Sequence, residues 1–218
     1  MPEYRYGKIN VFHARGVHKM GYEEALGKAL DDFGGLRPFV AASKSGTDFA
    51  DGKFIIRFFS RTFRLSYPEG EVEEADGEEG YPKWLRILLM HYLIQADGTA
   101  VADQWVAYRQ LPGGNFFEQR FMNMCISPLT KGFGEDLEGF KRGGMALGGD
   151  PITRTGDAAF RFLALPKIPM ACILYLGDEE VQPSVNVLFD AAAFAYLPTE
   201  DLSLLGIYLN GMQRYRTQ

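Results

Sequence analysis

Met170 to Leu176, MACILYL, constrains the fold more than any other stretch of the chain. In an extended backbone Met170, Cys172, Leu174 and Leu176 face one way and Ala171, Ile173 and Tyr175 the other, and both sets are apolar. A strand with two apolar faces belongs at the centre of a sheet covered on both sides. Gly177-Asp178-Glu179-Glu180 then ends the run with turn chemistry and charge, so this tetrad is expected in solvent.

The neighbouring segments extend that strand into a sheet. Ala159 to Leu165 reads as the strand before it. Val185, Val187 and Phe189 alternate with Ser184, Asn186 and Leu188 and read as the strand after it. Pro166 and Pro169 lie where a lost amide donor matters least. Short links between the three strands favour an antiparallel meander. Leu197-Pro198 leads into a helix with Thr199 as its N-cap and Glu200 and Asp201 at the positive end of its dipole. Leu202, Leu205, Leu209 and Met212 recur along it at helical spacing.

Upstream, Tyr22, Leu26, Leu30 and Phe33 mark one face of a helix ended by Gly34-Gly35. Residues 36–53 read as a loop. Phe54–Phe59 and Thr62–Tyr67 read as a hairpin turning at Ser60-Arg61, with one long bulged strand as the rival reading. Pro68–Tyr81 carries seven acidic residues and no basic one, and reads as a solvated loop. Its spacing does not match the twelve-residue calcium loop. Pro82 opens a helix that buries Trp84, Leu85, Leu88, Leu89 and Tyr92 and ends near Ala96-Asp97-Gly98. Gln104–Leu111 reads as a strand and Pro112-Gly113-Gly114 as a turn. Asn115 then caps a helix from Phe116 to Ile126, with Phe117, Phe121 and Met124 stacked along it. Leu137–Lys141 suggests a short helix, and Gly143, Gly144, Gly148 and Gly149 a flexible segment.

This order does not alternate strand and helix regularly, and no repeat is visible. The expectation is an α+β fold: a mainly antiparallel sheet with a C-terminal three-strand meander, packed against several helices. It spans 1–218 as one domain, with 1–20 as an irregular arm. At 218 residues, 46% hydrophobic and 23% charged, the chain suits a globular core. A formal charge of -5 argues against nucleic acid as partner. MPEYRYGKIN has no apolar signal core, and no run reaches membrane-spanning length, so the expected setting is the cytoplasm. Cys125 and Cys172 have no paired spacing, which excludes a disulfide framework and a thiolate-only metal site within the chain.

Several residues are candidates for chemistry. His91 sits beside the apolar stripe of its helix, as an axial ligand to a tetrapyrrole or corrinoid metal or as a general base would; a core histidine bonded to backbone is the plainer reading. Arg109, ahead of LPGG, has the chemistry to clamp a carboxylate or phosphate, with a structural ion pair as the plainer reading. Gly113 and Gly114 are the candidate ligand contacts beside it. His13 and His18, five apart, miss the spacing that puts two imidazoles on one helix face. GGMALGGD lacks the phosphate-loop patterns and reads as a mobile linker or lid, with Lys141 and Arg142 before it as an attraction for anions. Asp178, Glu179, Glu180 and Asp190 lie at strand ends, where converging carboxylates would make a metal or acid/base site; solvated turns are the plainer reading. No nucleophile elbow, HExxH or Walker pattern is present.

LPKIPMACILYLGDEE, VNVLFD and YLPTEDL, with LLMHYLIQADGT, WVAYRQLPGG and SPLTKGFG upstream, resemble Domain of Unknown Function 3786 from about Trp84 to Leu209. The resemblance implies an uncharacterised family found mainly in anaerobic bacteria and archaea. Some of its members adjoin a four-cysteine iron–sulfur segment, and some occur with corrinoid and one-carbon metabolism. Two isolated cysteines cannot build such a cluster, so none is expected within this chain. The family pattern includes a histidine at the position of His91. Three functions follow as expectations. The first is a binding protein for a small molecule or cofactor, corrinoid or haem, with His91 near the pocket. The second is a non-catalytic interaction domain or accessory subunit for a protein partner. The third is an enzyme using the clustered carboxylates.

Overall fold

The computed structural model describes residues 21–75 and 80–215, so His13, His18 and the proposed N-terminal arm lie outside the described residues. The chain is α+β, with two antiparallel sheets and helices packed on them. Helix α1 (Tyr22–Gly34) buries Phe33 and partly buries Tyr22, Leu26 and Leu30, the stripe its periodicity predicts. The expected loop at 36–53 instead forms helix α2 (Pro38–Ser45) and strand β1 (Asp48–Ala50). Pro38 is preset for a first helical turn, and the far end is fixed from a distance: the Ser45 carbonyl accepts the Tyr92 hydroxyl at 2.5 Å.

Strands β2 (Lys53–Phe58) and β3 (Arg61–Ser66) form the hairpin reading, not the bulged strand, and the turn lies at Phe59-Ser60 with Phe59 at φ 53°. Phe54, Ile56, Phe58, Phe63 and Leu65 are buried from one face, while Arg57 and Arg64 are exposed on the other. The acidic run is not simply a loop. It contributes strand β4 (Val72–Glu74), which completes the sheet β1-β2-β3-β4. Its acids have cations waiting: Glu73 meets Lys53 at 2.7 Å, Glu71 meets Arg86 at 2.8 Å, and Glu74 makes a two-point pair with Arg61 that is largely shielded from water. Charge density alone predicts solvation, and Glu71 and Glu73 do stay exposed; of the three, only Glu74, paired with Arg61, is taken out of water.

Helix α3 (Trp84–Gln95) is buried almost all round, with Ile87, Met90 and Leu93 joining the predicted face. Strand β5 is shorter than the expected Gln104–Leu111: it covers Trp105–Ala107, and Tyr108–Gln110 curls into a 3-10 turn. Helix α4 (Gly114–Phe121) starts at Gly114, so Asn115 lies inside it and does not cap it. It runs through one π turn, Met122–Ile126, into α5 (Ser127–Phe133).

Helix α6 (Leu137–Ala146) overturns the flexible-segment and lid reading of GGMALGGD, because Gly143 and Gly144 are buried inside it. A Cβ on Gly143 would stand 2.6 Å from the Met212 carbonyl oxygen, and one on Gly144 would enter the Phe160 ring. These glycines are where α6 touches its neighbours most closely, a packing role that outweighs their poor helix propensity.

After the two-residue β6 (Asp150–Pro151) come β7 (Ala158–Leu165), β8 (Ile168–Tyr175) and β9 (Ser184–Asp190) as an antiparallel meander. The second sheet has the order β5-β9-β8-β7-β6, which puts the MACILYL strand in the middle. Every β8 residue except Tyr175 is buried, and Gly177 to Glu180 are exposed as expected. The faces are unequal, however. Met170, Cys172 and Leu174 belong to the main core cluster. Ala171 and Ile173 are buried outside it, flanked by exposed Arg161 and Asn186 across the register. The second face is therefore shielded at its centre and wet at its flanks.

Helix α7 (Thr199–Tyr208) continues as a 3-10 segment to Tyr215 and buries Leu202, Leu205, Leu209 and Met212. Pro198, not Thr199, is its N-cap, and no side chain caps it. Among the described residues no helix is long and apolar enough to cross a membrane.

Candidate functional site

Strand β5 pairs with only the last part of β9: Trp105 opposite Asp190, Val106 opposite Phe189, Ala107 opposite Leu188. Past Ala107 the chain bonds to itself. Gln110 Oε1 accepts the Ala107 amide at 2.7 Å, and the Tyr108 carbonyl accepts the Leu111 amide at 3.1 Å. The Tyr108 ring stacks on Phe121 at 4.2 Å and its hydroxyl donates to the Thr199 carbonyl at 3.0 Å. Burial pushes that phenol well above the usual tyrosine range. With Tyr108 turned inward, Arg109 is exposed.

A cleft of about 300 Å³ opens where β5 leaves β9. One wall is Val185, Asn186, Val187 and Leu188; the other is Glu118, Phe121, Met122 and Ile126; Ala107, Tyr108 and Arg109 close it. Successive strand residues alternate faces, so four consecutive β9 residues in one wall mean that the cleft runs along the strand's edge. The π turn supplies Met122 and Ile126 as its first and last residues, and such turns recur at functional sites. Arg109 has no ion-pair or hydrogen-bond partner among the described residues, and Glu118 across the cleft does not reach it.

The other sequence candidates fall elsewhere. Gly113, at φ 74°, and Gly114 are not among the cleft walls. A Cβ on Gly114 would collide with the Tyr108 carbonyl oxygen, so this turn sets the 3-10 segment that carries Arg109. His91 is also outside the cleft. Its Nδ1 lies 2.6 Å from Asp201 Oδ2 in the first turn of α7, and its Nε2 has no partner among the described residues. Burial works to lower the His91 pKa, but the hydrogen bond and charge of Asp201 outweigh it and hold the imidazole above its ordinary value. The first turn of α7 ties these places together: Thr199 Oγ1 donates to the Pro112 carbonyl at 2.7 Å, Glu200 stands 3.9 Å from Arg120, and Asp201 holds His91.

The carboxylates at the strand ends do not converge. Asp178 binds the amides of Glu180 and Val181 in an exposed turn before β9. Asp190 is buried at the other end of that strand, about 20 Å along at the usual rise. Its Oδ1 accepts the amides of Ala102 and Ala192. Among the described residues no group of three or more His, Cys, Asp or Glu is placed to hold a metal. Burial pushes the Cys172 thiol up to about 12 and raises Cys125 as well, which disfavours both as thiolate ligands.

Sequence reasoning missed Glu118, Met122, Ile126 and the β9 edge. The alternation around Val185 and Val187 was visible, but which edge lacks a partner depends on where β5 stops. No curated protein and no solved structure gives a significant match to this chain. The family model described as Domain of unknown function (DUF3786) matches residues 38–212, most of the chain and all of the cleft, and the chain belongs to that family.

Proposed function

We propose that this chain is a binding protein whose ligand enters the cleft beside β9 and presents an anionic group to Arg109. The observation that carries the reading is a guanidinium, without a partner among the described residues, in the wall of a cleft whose other surfaces are mostly apolar. A planar guanidinium binds carboxylate or phosphate at two points, and apolar walls with few polar anchors are the usual form of a ligand site. The two buried, unbridged thiols are compatible with a reducing compartment, and the cytoplasm is the setting we assign.

Hexanoate and hexanamide test the reading, since they share an apolar chain and differ in charge. Hexanoate at millimolar concentration is expected to shift the backbone amide resonances of Val185 to Leu188. Hexanamide and the Arg109→Ala protein are expected to give no such shift. Equal responses to acid and amide, or no response to either, would overturn it.

A second reading rests on His91. Metal-binding imidazoles commonly give one ring nitrogen to a carboxylate and the other to the metal, and Asp201 on Nδ1 leaves Nε2 for that purpose. His91 Nε2 would then hold the metal of a corrinoid or haem, which would supply metal-centred chemistry, while Asp201 orients the ring. The cleft of about 300 Å³ lacks His91 among its walls, so this cofactor would lie elsewhere, against α3 and α7. Anaerobic titration with cobalamin and with haem checks it. Absorption bands that do not shift, or that shift equally in His91→Ala, sink the idea.

A further inference from the structure

Arg109 is not the only charge in the cleft. Glu118 stands in the opposite wall, half-buried, and like Arg109 it has no ion-pair or hydrogen-bond partner among the described residues. The surrounding elements put these two charges at one end. Ala107 lies opposite Leu188, so Arg109 stands at the Leu188 end of the β9 wall. The Tyr108 ring stacks on Phe121 at 4.2 Å, which brings the turn of α4 that holds Glu118 to that same end. The far end of the helical wall is fixed separately: a Cβ on Gly134, just past α5, would stand 2.7 Å from Cγ of Pro183, the residue before β9. The helical run therefore passes β9 from its Leu188 end to its Ser184 end. Met122 follows Glu118 by four residues on the same helix face, about 6 Å further along at the usual rise, and Ile126 lies beyond it. The cleft is charged where β5 ends and mostly apolar from there on, over buried Val185 and Val187, with Asn186 as the polar exception.

We propose that the cleft binds a free α-amino acid with an apolar side chain, its carboxylate on Arg109 and its ammonium on Glu118. The proposal rests on the reading of the cleft as an anion-anchored site and names the class of ligand. A plain anion on Arg109 lies near a carboxylate that opposes it, and a plain amine on Glu118 lies near a guanidinium that does the same. A ligand carrying both charges satisfies both walls, and each wall then selects against a singly charged competitor. An α-amino acid bears its two charges on one carbon, with the side chain leaving that carbon in another direction. With the charges held where β5 ends, the side chain extends towards Met122, 43% exposed, and half-buried Ile126. A volume of about 300 Å³ is at the small end for ligand sites, which suits a molecule of this size.

The probe is L-norleucine, which is hexanoate with an ammonium on the carbon next to its carboxylate. ε-Aminohexanoate is the control, since it carries the same two charges at opposite ends of the same chain. Each is titrated into the full chain and followed by the backbone amide resonances of Met122, Ile126 and Leu188. Norleucine is expected to bind about tenfold tighter than hexanoate, and ε-aminohexanoate no tighter than hexanoate. The advantage of norleucine over hexanoate should disappear in Glu118→Gln, and Arg109→Ala should bind neither. Hexanoate binding with norleucine no tighter, ε-aminohexanoate matching norleucine, or an advantage that survives Glu118→Gln overturns the amino-acid assignment and leaves the anionic cleft standing. Failure of hexanoate and norleucine alike removes both.

Discussion

Two helical glycines, Gly27 and Gly143, give opposite expectations for the same substitution. Gly27 lies in α1 with no heavy atom within 4 Å of the place its Cβ would occupy. Alanine there gains the ordinary helix-propensity difference, about 1 kcal/mol. Gly143 lies in α6, where a Cβ would stand 2.6 Å from the Met212 carbonyl oxygen and 2.8 Å from its Cβ. The obstruction is backbone, which cannot rotate aside, so α6 must move off the segment Leu209–Tyr215. Overpacking of this kind costs about 3 kcal/mol at the upper end of its usual range. After the propensity gain of about 1 kcal/mol, Gly143→Ala is expected to destabilise by about 2 kcal/mol. The two variants then differ by about 3 kcal/mol, which at a urea slope of about 3 kcal/mol/M separates their midpoints by about 1 M. Urea unfolding followed by far-ultraviolet circular dichroism reads this directly, with equal slopes confirming that only stability changed. If Gly143→Ala unfolds at or above the wild-type midpoint, α6 is not packed as described and the segment is as loose as its glycine content suggests.

The remaining expectations concern charges. His91 has a raised pKa, so its pairing with Asp201 stabilises the fold fully below the unfolded value near 6.5 and is lost as pH rises through the higher folded value. With His91 about one-third exposed, the effect is about 1 kcal/mol or less after solvent screening; Asp201→Asn should flatten stability over that window, and an unchanged pH profile would refute the pairing. Glu74→Ala takes from the shielded Arg61 its carboxylate but not its contact with Tyr208, and is expected to cost about 2 kcal/mol in urea unfolding, whereas a loss under about 0.5 kcal/mol, the size of an exposed pair, would show that the pair does not hold β4 in place.

The parts legible from the sequence are those whose cause is local. Met170–Leu176 announces a central strand because both parities are apolar, and α3 announces itself by its apolar spacing. Where the deciding contact is remote, local patterns mislead. PFVAASKS has no clean stripe, since Phe39 and Val40 stay exposed, and it reads as loop. Glu74 looks like another solvated acid until Arg61 is brought against it, and the strand it ends is visible only once β3 lies alongside. Gly143 and Gly144 look flexible until Met212 and Phe160 arrive against them. The same division holds for the site. His91 and Arg109 were visible as side chains, but Asp201, 110 residues from His91, and the cleft beside β9 are products of tertiary pairing.

That cleft has its origin in a turn. Ala107 faces Leu188, so the next step of an unbroken ladder would set Tyr108 opposite Val187. The Tyr108 carbonyl is instead taken by the Leu111 amide, and the Leu111 carbonyl by the Gly114 amide. Gly114 permits this only because it has no Cβ to strike that Tyr108 carbonyl. The ring of Tyr108 then locks the arrangement by stacking on Phe121 and reaching Thr199. LPGG therefore acts on the site without lining it. It ends β5 early, so that among the described residues β5 does not extend alongside Val185 and Val187, and it turns Arg109 outward beside the cleft. A longer β5 would extend the sheet over the cleft and erase it, so the feature that weakens the ladder is the one that forms the cleft.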